Sequence, residues 1–327
     1  MRLAFLGDVM LGRGVGEQIP HRAPESFWGD ALPILRQADL VATNLECAIT
    51  TSTTKWTRTP KVFHFRAPPL ATNVLAAARV KIVSLANNHI LDFEEQGLLD
   101  TLEHLDRAGI AHAGAGRNAA EAARPAIVEA AGVRVGVIAF TDNQPEWAAG
   151  SRSTGTNYLP IETDPQTLMR VESAAREARQ EGADIVVLSL HWGPNMVQRP
   201  SRTFVEFAHA AVDRGVDLVF GHSSHVFQAC EIRRGRPIFY DTGDFLDDYA
   251  VDPVLRNDWS FIFLVDVEPE ATTRIELIPV RLTFSMTNLA VGREAEEILE
   301  RMEGLSREFG TSFLREDTRL IWLPDRS

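Results

Sequence analysis

Apolar residues along the chain come in short unbroken runs, each closed by a polar turn. The clearest are Leu3–Leu6, Leu40–Ala42, Ile82–Leu85, Val135–Phe140, Ile185–Leu190, Leu218–Phe220 and Ile238–Tyr240. A strand with one wet face alternates apolar and polar positions. A run without alternation suits a strand covered on both faces, the mark of a parallel sheet. Between these runs, apolar positions recur at helical spacing over Glu94–Ala108, Gln166–Gln180 and Phe204–Arg214, and again over Ala295–Glu308. Strand and helix in alternation predict a layered α/β domain. From about residue 260 the pattern changes. Phe261–Val267 and Arg274–Leu282 read as a β-hairpin around a turn at Glu268–Thr272, followed by the last helix, and Trp147–Leu159 reads as an exposed loop. With no repeat and no linker, residues 1–327 are expected to form a single domain.

Composition narrows the partners more than the fold. Of 327 residues, 45% are hydrophobic and 24% charged, an ordinary globular balance. The formal net charge of -12 argues against nucleic acid, whose phosphates call for a basic face. Cys47 and Cys230 are the only cysteines and read as small buried apolar residues. Leu3–Leu6 is too short for a signal peptide. No run approaches the roughly 18 apolar residues of a spanning helix, so a cytoplasmic protein with no membrane segment is expected.

The residues that close the runs change the picture. Gly7-Asp8 follows the first run, Asn44-Leu45-Glu46 the second and Asn87-Asn88-His89 the third, with Asp92 just beyond. His191-Trp192-Gly193, Gly221-His222-Ser223-Ser224-His225 and Asp241-Thr242-Gly243-Asp244 follow three of the later runs. In an open α/β sheet the crevice outside the carboxyl ends of the strands binds ligands. Taken singly, Asp8 suits a helix N-cap and Glu46 a paired structural acid. Jointly, Asp8, Glu46, Asn88, His191, His222 and His225 make an oxygen and nitrogen donor set suited to one or two divalent transition ions, Mn, Zn or Fe. His21, His104, His112 and His209 lie in helical or loop contexts and read as surface or satisfied histidines.

These motifs, in this order, resemble the poly-γ-glutamate capsule biosynthesis proteins of the CapA/PgsA type, a branch of the calcineurin-like metallophosphatases. The resemblance runs from Gly7 to about Phe245. It rests on Gly7-Asp8 with Gly12-Arg13, Asn44-Leu45-Glu46, Phe63-His64-Phe65-Arg66-Ala67-Pro68-Pro69, Asn87-Asn88-His89 with Asp92 and Gly97, His191-Trp192-Gly193 and Gly221-His222 with His225-Val226. It implies the calcineurin-like fold, two packed mixed β-sheets flanked by helices. It also implies that Glu46 is the acid shared by two metals, with Asp8 and His225 on the first and Asn88, His191 and His222 on the second. Met10 stands where phosphatases of this fold have a histidine, which implies one tight and one weak ion.

His89, Asp92 and Asp244 are the candidate catalytic groups, with His89 as proton donor or charge stabiliser. Arg13, Asn44, His64, Arg66 and Trp192 are the candidate contacts to a small-molecule or peptide substrate. Three functions follow from the resemblance. A metal-activated water hydrolyses a phosphoester or related bond. Alternatively, the metal supports epimerisation at a peptide α-carbon, with His89 and one of Asp241, Asp244 or Asp247 as acid and base. In the third, the chain serves capsule-polymer biosynthesis without turnover. Asp244 replaces an asparagine common in the capsule proteins, many of which are membrane-anchored.

Overall fold

The computed structural model describes residues 1–268 and 271–324. The first strand, Arg2–Val9, shows why its run lacks alternation. Leu3 and Phe5 point into one core with Val135, Val187 and Phe220, while Ala4 and Leu6 point into another with Trp28, Val41 and Leu98. Both faces are covered, so both parities must be apolar.

Two mixed sheets carry the architecture. In the ten-stranded one, Arg2–Val9, Leu40–Leu45, Val80–Ser84 and Ala111–Ala113 run parallel. Trp259–Glu268 then pairs antiparallel on the other side of Arg2–Val9. In the six-stranded one, Val133–Thr141, Ile185–His191, Leu218–His222 and Arg236–Phe239 run parallel, flanked by Ala126–Ala130 and Cys230–Arg233 in antiparallel register. The expectation of parallel strands thus holds for the centre of the six-stranded sheet and for one side of the ten-stranded one, which turns antiparallel from Trp259–Glu268 outward. The sheets pack face to face through aromatic rings. Phe5 and Phe220 lie 5.2 Å apart and Phe239 and Phe263 lie 4.8 Å apart, centre to centre.

Helices flank both sheets. Pro165–Gln180 starts with a proline in its first turn and Asp164 capping the amides of Gln166 and Thr167. Ser201 caps Arg202–Asp213, and Glu94–Ala108 ends on Gly109 at φ 67°. The last helix, Gly292–Arg307, sends Ile298, Leu299 and Met302 into the core between the sheets. Among the described residues no helix is long and apolar enough to cross a membrane.

Two expectations need amendment. Trp147–Leu159 is exposed at Ala148 and over residues 151–153 but tied down at its ends: Gly155–Thr156 pairs with Ala115–Gly116, and Trp147 and Leu159 are buried. Gly155 and Thr156 take the tight path against the body, while Ser151 and Ser153 stay wet. The hairpin strands are longer than their apolar stretches, Trp259–Glu268 and Ala271–Thr283. Residues 269–270 of the expected turn lie outside the described residues. A further hairpin, Leu314–Glu316 with Arg319–Trp322, gave no signal because its first strand is fully exposed and needs no apolar pattern.

Candidate metal centre

Strand register decides which donors meet. Asp8, the penultimate residue of the first strand, sits between Asn44 and Asp244 in parallel register with both. His191 and His222 end neighbouring strands of the second sheet and are paired with each other. The carboxyl ends of both sheets therefore converge. At Gly7 an added Cβ would lie 1.7 Å from the Gly243 carbonyl oxygen, so only glycine allows the approach in which the Asp8 amide donates to that oxygen at 2.9 Å. Ser223 and His225 adopt φ of 115° and 61°, a left-handed backbone that non-glycine residues rarely hold and that functional sites tolerate.

Two groups of donor atoms result, each with all its atoms within 4.8 Å of one another: Asp8, His191 and His222, and Asp8, Glu46, His225 and Asp244. Asp8 belongs to both. Its Oδ1 lies 3.5 Å from His222 Nδ1, its Oδ2 3.9 Å from His225 Nδ1, and Asn44 Nδ2 donates to Oδ1 at 2.7 Å. His191 Nδ1 lies 3.0 Å from His222 Nδ1, and its Nε2 lies 3.1 Å from the Asn88 side-chain oxygen. His225 Nδ1 meets Asp244 Oδ1 at 2.8 Å.

The electrostatics are set by burial of several carboxylates close together. Burial, with Asp241 nearby, pushes Asp8 up to about 7. Burial and the Asp8 charge raise Glu46, and burial with Asp247 raises Asp244. Burial pulls His222 down to about 3, and burial with His222 pulls His191 well below the imidazole range. Burial also acts downward on His225, but Glu46 and Asp8 outweigh it and hold this ring above the ordinary value. Asp8 Oδ2, Glu46 Oε1 and Asp244 Oδ2 are buried without a hydrogen-bond partner. Such oxygens are costly unless a cation meets them, and a mixed carboxylate and imidazole set with no thiolate fits Mn²⁺, Zn²⁺ or Fe²⁺.

Around this centre stand the other expected residues. His89 is buried, stacks on Phe65 at 3.9 Å between ring centres, and turns Nε2 toward Glu46 Oε1 at 3.9 Å. Its Nδ1 meets Asp92 Oδ2 at 2.7 Å. Arg13 stands 5.8 Å from the ring centres of Phe63, Phe65 and Tyr249, with Asp248 at 3.4 Å. His64 and Arg66 do not reach the donors. They line a neighbouring cavity of about 510 Å³ with Arg13, where His64 Nε2 bonds the Trp56 carbonyl and Arg66 the Ser52 carbonyl. Trp192, expected against the substrate, is core: it is buried, stacks on Phe204 at 4.6 Å and donates its indole N–H to the Tyr240 carbonyl.

Several members were not singled out from sequence. Lys61 bonds the Asn88 carbonyl at 2.6 Å, Tyr249 donates to Glu46 Oε2 at 3.1 Å, and Ser189 meets His222 Nε2 at 2.8 Å. Lys61 precedes the Phe63–Pro69 motif by two positions, its only local signal. Asp8 lies in both donor groups; Glu46, which the resemblance implies is the shared acid, lies in one of them, and Asp244 lies among the donors.

Fold and centre together define a two-sheet α/β protein with a buried carboxylate and imidazole centre at the joined strand ends. The chain belongs to the family described as bacterial capsule synthesis protein PGA_cap, whose model matches residues 2–249. It is 32% identical to a probable polyglutamine synthesis accessory protein of Mycobacterium tuberculosis, over 96% of this chain and 93% of that one. It is 29% identical to the capsule biosynthesis protein CapA of Bacillus anthracis (86% and 67% covered) and 27% identical to the PGA biosynthesis protein CapA of Bacillus subtilis (99% and 82% covered). Among solved structures, TT1561 of Thermus thermophilus aligns over 80% of this chain and 92% of that one at 11% identity, with a TM-score of 0.39.

Proposed function

We propose that this protein is a metal-dependent enzyme that hydrolyses a phosphoester or related bond of a small-molecule or peptide substrate. The observation that carries the reading is the sharing of Asp8 between two abutting donor groups, with three buried carboxylate oxygens left unpartnered around it. Asp8, Glu46, His225 and Asp244 would hold one divalent ion; Asp8, His191 and His222, with Asn88 beside them, would hold a second. Such ions, when bound, supply charge neutralisation and lower the pKa of water to near neutrality. Asn44 orients Asp8 through its amide, and Tyr249 orients Glu46 through its hydroxyl. His89 exchanges a proton at Nε2, and burial together with Lys61 keeps its ring neutral. Arg13, partly exposed beside three rings, is the cation placed to meet an anionic group of the substrate.

The names of the relatives favour a second reading, service to glutamyl-polymer synthesis as an accessory factor. One experiment separates the two. Purified protein is assayed for metal by elemental mass spectrometry and for turnover of a generic phosphodiester and phosphomonoester. Near-stoichiometric transition metal with turnover supports hydrolysis. Metal without turnover moves the weight to α-carbon epimerisation, and no metal after reloading leaves the accessory role.

A further inference from the structure

Beside the metal centre lies the cavity of about 510 Å³, of the size that takes a small ligand, and the proposed reaction leaves it unused. Its walls grow out of the centre. Thr51 and Thr53 follow Glu46 on the segment whose strand Ala48–Ile49 pairs with Arg66–Ala67. Phe93 follows Asp92, and Arg66 follows Phe65, the ring that stacks on His89. An added Cβ at Gly12 would lie 2.8 Å from the Arg66 amide nitrogen, so Arg13 and Arg66 reach the cavity from touching segments. Arg66 is held before any ligand arrives: its Nη1 donates to the Ser52 carbonyl at 2.8 Å, and its guanidinium lies 5.3 Å from the Phe93 ring centre. Among the described residues no acceptor meets its Nε or Nη2, and no carboxylate comes within ion-pair reach of it. That pair of N–H groups is the fork that takes both oxygens of an oxyanion. The acid in the wall, Glu17, is exposed, where water and salt screen it.

We propose that this cavity binds a second oxyanion of the substrate, a carboxylate or a phosphate on an aliphatic stem, remote from the bond that reacts, and that Arg66 sets this specificity. The proposal rests on the hydrolase reading and deepens it. Arg13 stands between the two places: it lines the cavity and lies 5.8 Å from the ring of Tyr249, whose hydroxyl donates to Glu46. It meets anionic charge near the reacting bond, while Arg66 receives the far end. Pro68, Pro69 and Phe93 give the stem an apolar wall, and the exposed Thr51 and Thr53 carry hydroxyls that donate to further oxygen atoms. In a chain of net charge -12, two arginines beside one screened acid are a local reversal of sign that selects an anion. An extended substrate with two anionic groups should therefore be used better than a compact phosphoester.

The binding test does not depend on turnover. Zinc-loaded protein labelled with ¹⁵N-arginine is titrated in NMR with inorganic phosphate, butyrate or neutral butyramide at constant ionic strength, and Arg66→Gln assigns the Arg66 Nε–H signal. That signal should shift saturably with phosphate, butyrate or both, the effective anion naming the source, and butyramide should leave it in place. No saturable shift with either anion overturns the proposal. So does an equal shift at Arg176, an exposed arginine on the helix Pro165–Gln180, since that would be general counter-ion binding. For turnover, nitrophenyl phosphodiesters are compared whose second arm, at several lengths, ends in a carboxylate, a phosphonate or a carboxamide. Wild type should favour an anionic arm roughly 10–100-fold in kcat/KM, chiefly through KM. The ratio taken within each protein cancels any general loss of activity. Arg66→Gln should abolish the preference, and Arg66→Lys, which keeps the charge without the fork, should retain part of it. Equal use of charged and neutral arms by wild type at every length, or a preference that survives in Arg66→Gln, also overturns the proposal. Where Arg66→Gln does not fold, Arg66→Lys assigns the signal and the wild-type ratio still decides. Absence of turnover with every ester would count against the hydrolase reading, while the titration judges the cavity separately.

Discussion

The two donor groups that share Asp8 differ in kind. One is completed by two imidazoles, His191 and His222, which burial holds neutral. The other is completed by Glu46 and Asp244 with His225, and there the carboxylates so dominate that they hold His225 above its usual value despite burial. The first group can stand without an ion at modest electrostatic cost. The second concentrates three carboxylates in a buried space, two of them with an orphaned oxygen besides that of Asp8, and relieves itself only by taking up protons or a cation. The difference teaches that the acidic group is assembled from segments far apart in the chain. Met10 is buried and its sulfur accepts the Gly12 amide, while Asp244, brought beside Asp8 by strand pairing, supplies a donor from the far end of the chain.

The largest expected effect comes from the residue both groups share. Asp8→Ala should reduce bound metal to background by elemental mass spectrometry and turnover by roughly a thousand-fold or more, since metal sites supply several kcal/mol of transition-state stabilisation. Retention of one full equivalent would show that Asp8 serves one group only. His191→Ala and Glu46→Ala then separate the halves: each folded variant should lose one equivalent and keep the other. Loss of both in either variant would merge the two groups into one centre, and unchanged metal in both would remove the site altogether. Asp244→Asn should be milder, weakening the acidic half by roughly 10–100-fold, read as a metal titration, while the imidazole half is untouched.

The pH dependence of the metal-free protein sharpens the same contrast. Folding raises Asp8 from 3.8 to about 7. The folded state therefore holds that proton more tightly, and the stability it contributes is present below the unfolded value and lost as pH rises through about 7. Asp241 and Asp247, raised to about 6, act in the same direction. His222 acts in the opposite sense, contributing above 6.5 and losing that contribution as pH falls toward about 3. Above pH 6.5 the raised carboxylates and His225, held above its ordinary value, act in the same direction, so the metal-free Tm should fall by about 2–4 °C for each kcal/mol lost on the way to about pH 8. Metal-loaded protein should show little of this fall; equal falls in both forms would place the titrating acids outside the site. The smallest effect should be that of Trp192→Phe, which removes the indole donor to the Tyr240 carbonyl. It should cost about 1 kcal/mol in denaturant unfolding and leave metal content unchanged.

Much of the site could be read in advance because its chemistry sits where local pattern is strongest. A strand covered on both faces must be apolar throughout, so Asp8, Glu46, His191 and His222 stand out as polar residues at the ends of such runs. Lys61, Tyr249 and Asp248 come from irregular segments, where no periodicity marks one polar residue above another. Trp192 misled for a related reason: adjacency to His191 in the chain puts its side chain on the opposite side of the strand, against Phe204 and Tyr240. His64 and Arg66 flank Phe65, which alone of the three stacks on His89.

By itself, then, the sequence determined the strand-and-turn framework and the inventory of donors, since burial and turn chemistry act on neighbours along the chain. Only the tertiary structure decided how those donors are shared. That Asp8 lies within reach of both groups, that Asp244 stands beside the acidic one, and that Lys61 reaches Asp92 across 31 positions all depend on which strand ends and loops are brought together. Sheet pairing and the packing of two faces set those distances, and neither is written in the local order of residues.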